Sequence, residues 1–200
     1  MLRYICHFVD VDKLNKDSVV VDAGACKGMF VEFLKQHTAI RDENICAIEP
    51  CRGNHESFKN TLYTLFDGSL VGADYVGPTI SFQELVGLNG WGNSFEFYKN
   101  VKSSKFKGFR EYEVPVLRVT DLFSHFGIDR IDYLKMDIVG MEKQVLETMP
   151  IEMAEKIGQI SMETYLQVWS LRDAVSRLKT MGFDDIIVDK KKNEIYGSRS

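Results

Sequence analysis

The order of hydrophobic and polar positions divides most of the chain into alternating strands and helices. The valines at positions 19–21 follow one another without alternation, which is typical of a strand buried on both faces within a parallel sheet. After a turn, apolar residues recur at helical spacing, at Phe30, Val31, Phe33 and Leu34. The pattern therefore predicts a strand, a glycine-containing turn and a helix that ends near His37.

The same alternation continues along the chain. Strands are predicted at residues 44–48, 62–66, 113–119, 131–137, 157–162, 183–188 and 194–197, and helices at residues 120–127, 142–149 and 171–181. Residues 62–66 could equally belong to a helix from about Asn54, but the turn after them favours a strand. In the opening residues, 4–16, we expect one short helix that covers one end of the sheet.

Alternating strands and helices followed by a terminal hairpin predict an α/β fold. The sheet is expected to be open and mostly parallel, with helices on both faces and one reversed strand. A chain of 200 residues is long enough for one complete core, so we expect a single domain across residues 1–200. Ligands of such sheets bind outside the carboxyl ends of the strands.

Residues 71–112 differ from the rest, because glycines are interspersed there among aromatic side chains. A loop-rich stretch of this length inside a compact domain is more often a lid or substrate loop than a plain connection. Trp91 to Ser94 form its polar and aromatic centre. A surface meander with its own hydrophobic plug is the alternative interpretation.

Composition narrows the class of partner. The formal net charge of −4 disfavours a nucleic-acid partner, which requires a basic face. No apolar run approaches the length of a membrane span, and the first residues lack the apolar core of a signal peptide, so we expect a cytoplasmic protein. The four cysteines, Cys6, Cys26, Cys46 and Cys51, are expected to be free thiols, and their spacing predicts no metal site.

Candidate binding residues cluster where predicted strands end. The turn after the first strand contains Asp22, Gly24, Ala25, Cys26 and Gly28, and the free amides of the following helix favour an anion. Its Asp-x-Gly-x-x-x-Gly spacing differs from the Gly-x-Gly-x-x-Gly fingerprint of dinucleotide-binding proteins. An ordinary strand-to-helix turn is the alternative.

The next strand ends at Glu49 and Pro50, and an acid at this position can accept hydrogen bonds from both hydroxyls of a ribose. Asp67, Gly68 and Ser69 follow the third strand, where they could contact the base of a bound nucleoside.

Several motifs together resemble one family, the FkbM-type S-adenosylmethionine-dependent methyltransferases. These motifs are Val-Asp-Ala-Gly-Ala-Cys-Lys-Gly at 21–28, Ile-Glu-Pro at 48–50, residues 71–82, Leu-Lys-Met-Asp-Ile-Val-Gly-Met-Glu at 134–142 and Met-Glu at 162–163. The resemblance implies a Rossmann-like class I methyltransferase fold with a seven-stranded sheet. It also implies methylation of a hydroxyl, often on a sugar or polyketide.

By this resemblance, Asp22, Gly24 and Gly28 frame the methionine part of the donor and Glu49 holds its ribose. Asp137 is the first candidate for the base that frees the acceptor hydroxyl, and Glu163 is the second. Asp137 could instead order the pocket or bind the donor's amino group. The chain departs from the family pattern at Cys26, where Asn is common, and at Val139, where an acid is common.

Three functions are compatible with these residues. The first is an O-methyltransferase that acts on a small molecule or glycan. The second is a protein that binds S-adenosylmethionine without turnover, which the departures at Cys26 and Val139 would explain. The third is a nucleotide-dependent oxidoreductase, which the missing third glycine of the dinucleotide fingerprint disfavours.

Overall fold

The computed structural model describes residues 1–4, 7–85, 108–164 and 168–199. The strands in this part of the chain are β1 (Leu2–Tyr4), β2 (His7–Val9), β3 (Val20–Ala23), β4 (Ile45–Ile48), β5 (Thr64–Phe66), β6 (Ser69–Val71), β7 (Thr79–Leu85), β8 (Phe109–Arg118), β9 (Ile131–Met136), β10 (Ile157–Glu163), β11 (Asp185–Asp189) and β12 (Glu194–Ser198). The α-helices are α1 (Met29–His37), α2 (Leu122–Phe126), α3 (Glu142–Thr148), α4 (Ile151–Ala154) and α5 (Leu171–Thr180).

The central sheet has seven strands in the order β11-β12-β10-β9-β3-β4-β5. Strands β5, β4, β3, β9 and β10 are parallel, whereas β12 is antiparallel to both β10 and β11. The predicted α/β fold with a mostly parallel sheet and a terminal antiparallel hairpin is confirmed. The chain leaves β3 toward β4 on one side and returns to β9 on the other, which is where such sheets bind ligands.

Two hydrophobic clusters cover the two faces of this sheet. Val20 of β3 belongs to the cluster that includes Phe30 and Leu34 of α1, whereas the next residue, Val21, belongs to the cluster that includes Leu146 of α3. Successive side chains of a strand point to opposite faces, and both faces are covered here, so Val20 and Val21 are both fully buried. Val20 and Val21 thus lie in a strand covered on both sides, as predicted, whereas Val19 is partly buried and precedes β3.

The opening segment was predicted as a short helix, and this prediction is wrong. Instead, β1 and β2 form a small antiparallel sheet, followed by a 3₁₀ turn at Val11–Lys13. The Phe8 amide donates to Glu194 Oε1 at 2.6 Å, and the Asp10 amide donates to Gln159 Oε1 at 2.9 Å. These partners lie far away in the sequence, so the local pattern does not reveal the hairpin.

The region at 71–112 also differs from its prediction as loop-rich. Residues 79–85 form β7, which pairs with β8 over its whole length in a second sheet of order β6-β8-β7. Phe82 and Val114 of this sheet pack with Cys51 in a small buried cluster. Residues 86–107, which include Trp91 to Ser94, lie outside the described residues.

Two predictions between the main strands were tested by the structure. The strand at 62–66 is present as β5, and residues 52–58 before it form a 3₁₀ helix. Ser69, predicted as part of a turn, begins β6 instead. In the described part of the chain, no helix is both long enough and apolar enough to cross a membrane.

Arg199 joins the ends of several elements. Its guanidinium donates to the carbonyl oxygens of Ala154 at 2.7 Å, Met181 at 2.6 Å and Gly182 at 2.9 Å, and to that of Ile157 at 2.9 Å. The same group stacks 4.6 Å from the ring centre of Phe183. The planar fork of arginine therefore satisfies carbonyl groups at the ends of α4 and α5, which have no partners within their helices.

We expect Arg199→Ala to lower the free energy of unfolding by about 2 to 3 kcal/mol, because four carbonyl oxygens, three of them in partly buried hydrogen bonds, lose a charged donor. Arg199→Lys should recover less than half of this loss, since one ammonium group cannot reach the same oxygens. Urea unfolding followed by circular dichroism measures the effect. The control is Arg172→Ala on the exposed face of α5, expected within about 0.5 kcal/mol of wild type. Equal stability of the Arg199→Ala and Arg172→Ala proteins would contradict the role of Arg199.

Candidate active site

The turn between β3 and α1 is fixed by main-chain contacts on both sides. The amides of Gly24 and Ala25 donate to the Ile48 carbonyl oxygen of β4 at 2.9 and 3.1 Å. Gly24 has φ of 80°, and a Cβ placed there would lie 1.9 Å from the carbonyl oxygen of Asp137. Gly24 is therefore required so that the turn can approach the backbone that follows β9.

A buried ion pair supports the turn from beneath. Lys135 Nζ donates to Asp22 Oδ1 and to the carbonyl oxygen of Gly24, both at 2.9 Å. Asp22 is fully buried and Lys135 is 4% exposed. Asp22 thus lies beneath the turn rather than on its surface, and Lys135 is a buried lysine paired with Asp22.

Glu49 lies directly beyond β4 and is 5% exposed. Its Oε2 accepts from the Cys26 amide at 2.6 Å, and its Oε1 accepts from the Cys51 amide at 2.8 Å and from Asn54 Nδ2 at 3.2 Å. Burial raises the pKa of Glu49 to about 7, although these three donors oppose the shift. The carboxyl group therefore links the glycine turn to the segment after β4 and changes charge near neutral pH.

Asn54 is a site residue that the sequence did not identify. It is 1% exposed, and its Oδ1 has no hydrogen-bond partner among the described residues. A buried acceptor without a partner is costly unless a ligand or water supplies a donor. The sequence signal was weak, because an asparagine after Gly53 is also typical of an ordinary turn.

The three residues predicted to meet a nucleoside base separate in the structure. Asp67 is exposed at 56% and its Oδ1 lies 3.5 Å from Nε2 of His55, which donates to the Glu49 carbonyl oxygen at 2.8 Å. Gly68 packs closely against the Pro115 carbonyl oxygen. Ser69 is 2% exposed and pairs with Val116 in the second sheet. Asp67 is thus the member of this group that reaches the surface beside Glu49.

Asp137 and Glu163 meet at the carboxyl ends of β9 and β10. The Asp137 amide donates to the Ala23 carbonyl oxygen at 3.0 Å, and its side chain is 32% exposed. Burial, together with the negative charge of Asp137, raises the pKa of Glu163 to about 7. Burial alone would raise the pKa of Asp137, but His7 and Lys135 outweigh it and hold that pKa below its ordinary value. Asp137 is therefore the ionised member of the pair at neutral pH.

His7 of β2 is a second residue that the sequence did not identify. Its Nε2 lies 3.6 Å from Asp137 Oδ2, and its side chain is 2% exposed. No motif surrounds His7, and its position follows from the unpredicted hairpin of β1 and β2.

The main chain after Asp137 is held by Glu142. Its two carboxyl oxygens accept from the amides of Ile138 at 2.8 Å and Gly140 at 2.7 Å, and burial raises its pKa to about 8. Val139, between those amides, has φ of 50°, and Cys26 in the other turn has φ of 52°. Such conformations cost roughly 1 to 3 kcal/mol in residues other than glycine and are typical of functional sites.

One family profile matches most of the chain. The profile described as "Methyltransferase FkbM domain" matches residues 22–184. The methyltransferase sdnD of Sordaria araneosa is 22% identical over 210 residues, which cover 89% of this chain and 78% of that protein.

Two solved structures are also similar. The methyltransferase FkbM from Methylobacillus flagellatus KT has a TM-score of 0.54 at 16% identity, with 92% of this chain and 44% of that chain covered. The present chain thus spans less than half of that protein. The precorrin-6y C5,15-methyltransferase from Geobacter metallireducens GS-15 has a TM-score of 0.44 at 15% identity, with 95% and 85% covered, which is too weak to support a conclusion.

The two glycines of the turn provide a matched test of the packing against Asp137. Gly24→Ala should lower the free energy of unfolding by at least about 3 kcal/mol, because its Cβ meets main chain that cannot move away. Gly28→Ala should cost only about 1 kcal/mol, since its φ is also positive but its Cβ would lie 3.5 Å from the Phe58 ring. Chemical denaturation measures both values. Equal costs would show that the approach of Gly24 to Asp137 is not tightly packed.

Proposed function

Because the chain belongs to the family of FkbM-domain methyltransferases, we propose that it transfers the methyl group of S-adenosylmethionine to a hydroxyl group of a sugar, glycan or other small molecule. One observation supports this proposal more than any other. Glu49 and the unpartnered Asn54 Oδ1 lie on one side of the glycine turn, and the ionised Asp137 lies on the other. Glu49, which would bind the donor, and Asp137, which would accept the proton, thus follow the two strands that flank β3.

The residues around Glu49 fit the nucleoside part of S-adenosylmethionine. Asn54 Oδ1 is a buried acceptor that needs a donor, and Glu49 Oε2 accepts one bond among the described residues. Two neighbouring ribose hydroxyls can donate to these two oxygen atoms. Asp67, exposed beside His55, would lie nearest the base together with Pro50, whereas Gly68, buried against Pro115, would support this region without touching the ligand.

The glycine turn fits the charged end of the same molecule. Gly24, Ala25, Cys26 and Gly28 lead into α1, whose first amides favour a carboxylate. Asp22 would act through Lys135, by holding the Gly24 carbonyl oxygen in place. Ser69, buried in the second sheet, would support this region without touching the ligand.

S-adenosylmethionine, when bound, supplies a methyl group on a positively charged sulfur, and that sulfur keeps the electron pair of the broken bond as the acceptor oxygen forms its bond to carbon. The protein contributes mainly by holding the reactants in line. Asp137 accepts the proton that the acceptor hydroxyl loses, because its carboxylate is ionised and partly exposed. Glu163, with its pKa raised to about 7, is the second candidate for this role.

A second candidate function is donor binding without turnover. It is favoured by Val139, a strained residue without a carboxyl group in a motif that resembles Lys-x-Asp-x-Glu-Gly-x-Glu. Saturable donor binding without methylation of any hydroxyl compound would distinguish this function from catalysis.

Donor affinity should depend on the charge of Glu49. As the pH falls from 8 to 6, the carboxyl group with its pKa of about 7 gains a proton, and the dissociation constant for S-adenosylmethionine should rise by about tenfold. Glu49→Gln should bind more weakly at pH 8 and show no such dependence. Isothermal titration calorimetry at several pH values tests this, and a wild-type affinity in the Glu49→Gln protein would contradict the assignment.

Asp137→Asn should retain donor affinity but methylate at least about 100-fold more slowly, because the amide cannot take the hydroxyl proton. Transfer of a deuterated methyl group to a panel of sugars and small hydroxyl compounds, followed by mass spectrometry, measures the rate. The control is Asp129→Asn, whose side chain is 91% exposed near the opposite end of β9. A rate in the Asp137→Asn protein equal to that of this control would exclude a role as base.

A further inference from the structure

His7 enters the candidate active site from outside the segment that the family profile matches. It lies on β2, whereas the profile begins at residue 22. The hairpin that carries it is anchored by Arg3, which contacts Asp189 Oδ2 at 2.6 Å and Glu194 Oε2 at 3.0 Å. The Tyr133 hydroxyl of β9 also donates to the Phe8 carbonyl oxygen at 2.8 Å. The position of His7 is therefore fixed by the central sheet.

The two ring nitrogens of His7 have different surroundings. Nδ1 lies 3.1 Å from Ser161 Oγ on β10, and Nε2 points toward Asp137 Oδ2 at 3.6 Å. Nε2 is one of the buried polar atoms without a hydrogen-bond partner in the described residues. An edge-on contact with Phe30, at 6.1 Å between ring centres and 72° between planes, restricts rotation of the imidazole.

The surroundings determine which nitrogen carries the proton. A carboxylate is an acceptor, so the Nε2 that faces Asp137 must be the protonated nitrogen for the two groups to attract. Nδ1 then accepts from the Ser161 hydroxyl, whose alternative partner, Glu194 Oε1, is more distant at 3.4 Å. The 3.6 Å separation is slightly longer than a hydrogen bond, as is common before substrate binds.

The charged groups around the ring are consistent with a neutral imidazole. Lys135 of β9, Asp137 directly after β9 and Asp22 of β3 lie near the ring, and Glu194 of β12 is linked to it through Ser161. Burial lowers the pKa of His7, and the positive charge of Lys135 lowers it further. The negative charges of Asp137 and Asp22 oppose this shift without reversing it. A neutral ring with a proton on Nε2 donates one hydrogen bond without bringing a second positive charge to the site.

We propose that His7 is a positioning residue for methyl transfer, and that its Nε2–H orients the Asp137 carboxylate toward the acceptor hydroxyl. The proposal rests on the proposed function, since it assigns Asp137 as the base. His7 itself is too buried to touch the acceptor, so it acts through Asp137. The hairpin of β1 and β2 is then part of the catalytic apparatus rather than a cover for the sheet.

Two variants separate this role from a structural one. His7→Phe keeps a ring of similar size but removes the donor, whereas His7→Gln retains an N–H donor at a similar distance from the backbone. In the His7→Phe protein, kcat should fall by about tenfold while KM for donor and acceptor stays within about twofold. The acid limb of the pH–rate profile should move up by about one pH unit, because the Asp137 anion loses a donor. His7→Gln should restore both values toward wild type.

Nuclear magnetic resonance can measure the pKa of Asp137 and the tautomer of His7 without any methyl transfer. Carbon-13 labelling of aspartate carboxyl groups should show a higher pKa for Asp137 in the His7→Phe protein than in wild type. Nitrogen-15 spectra of the wild-type protein should show His7 as the Nε2–H tautomer, which requires no variant to fold. A His7 protonated on Nδ1, or an Asp137 pKa unchanged by His7→Phe, would overturn the proposal.

The kinetic measurements on the His7→Phe protein test the proposal independently. A wild-type kcat and acid limb in the His7→Phe protein would also overturn the role of His7. A wild-type protein that methylates no compound in the panel would overturn the proposed function instead, and the Asp137 titration would still decide whether His7 controls that carboxylate.

Discussion

The close approach of Gly24 to the main chain of Asp137 is the contact on which the candidate site depends. A side chain at position 24 would occupy the place of the Asp137 carbonyl oxygen, and Lys135 draws the Gly24 carbonyl oxygen and Asp22 together beneath the same turn. The carboxyl ends of β3 and β9 are thereby locked to each other. Because the proposed donor site and the proposed base lie on opposite sides of this contact, their relative position is set by backbone rather than by flexible side chains.

The acids around this contact share burial but not charge. Burial raises the pKa of Glu49 to about 7 and that of Glu142 to about 8, although backbone amides donate to both. In contrast, His7 and Lys135 hold the pKa of Asp137 below its ordinary value. Environments that push the pKa values of neighbouring acids apart are typical of sites that move protons. Glu142 holds the turn after β9, and in the proposed function Glu49 would bind the donor and Asp137 would accept the proton.

The sequence predicted those parts of the fold around the candidate site that local patterns determine. The valine run identified β3, and Glu49 and Asp137 could be placed together because parallel strands bring their carboxyl ends to one edge of the sheet. His7 could not be found in this way, since its partner Ser161 is 154 residues away in the chain. Ser69 was misplaced for a similar reason, because its pairing with β8 is invisible in the turn residues before it. Long-range pairing also explains why the local pattern of residues 71–112 does not reveal β7.

A crystal structure of the protein with S-adenosylmethionine or its demethylated product would show directly where the donor binds. We expect its ribose hydroxyls within hydrogen-bond distance of Glu49 and Asn54 Oδ1, with the sulfur between the glycine turn and Asp137. A nucleoside bound elsewhere, with Asn54 Oδ1 still without a partner and Asp137 remote from the sulfur, would contradict this expectation.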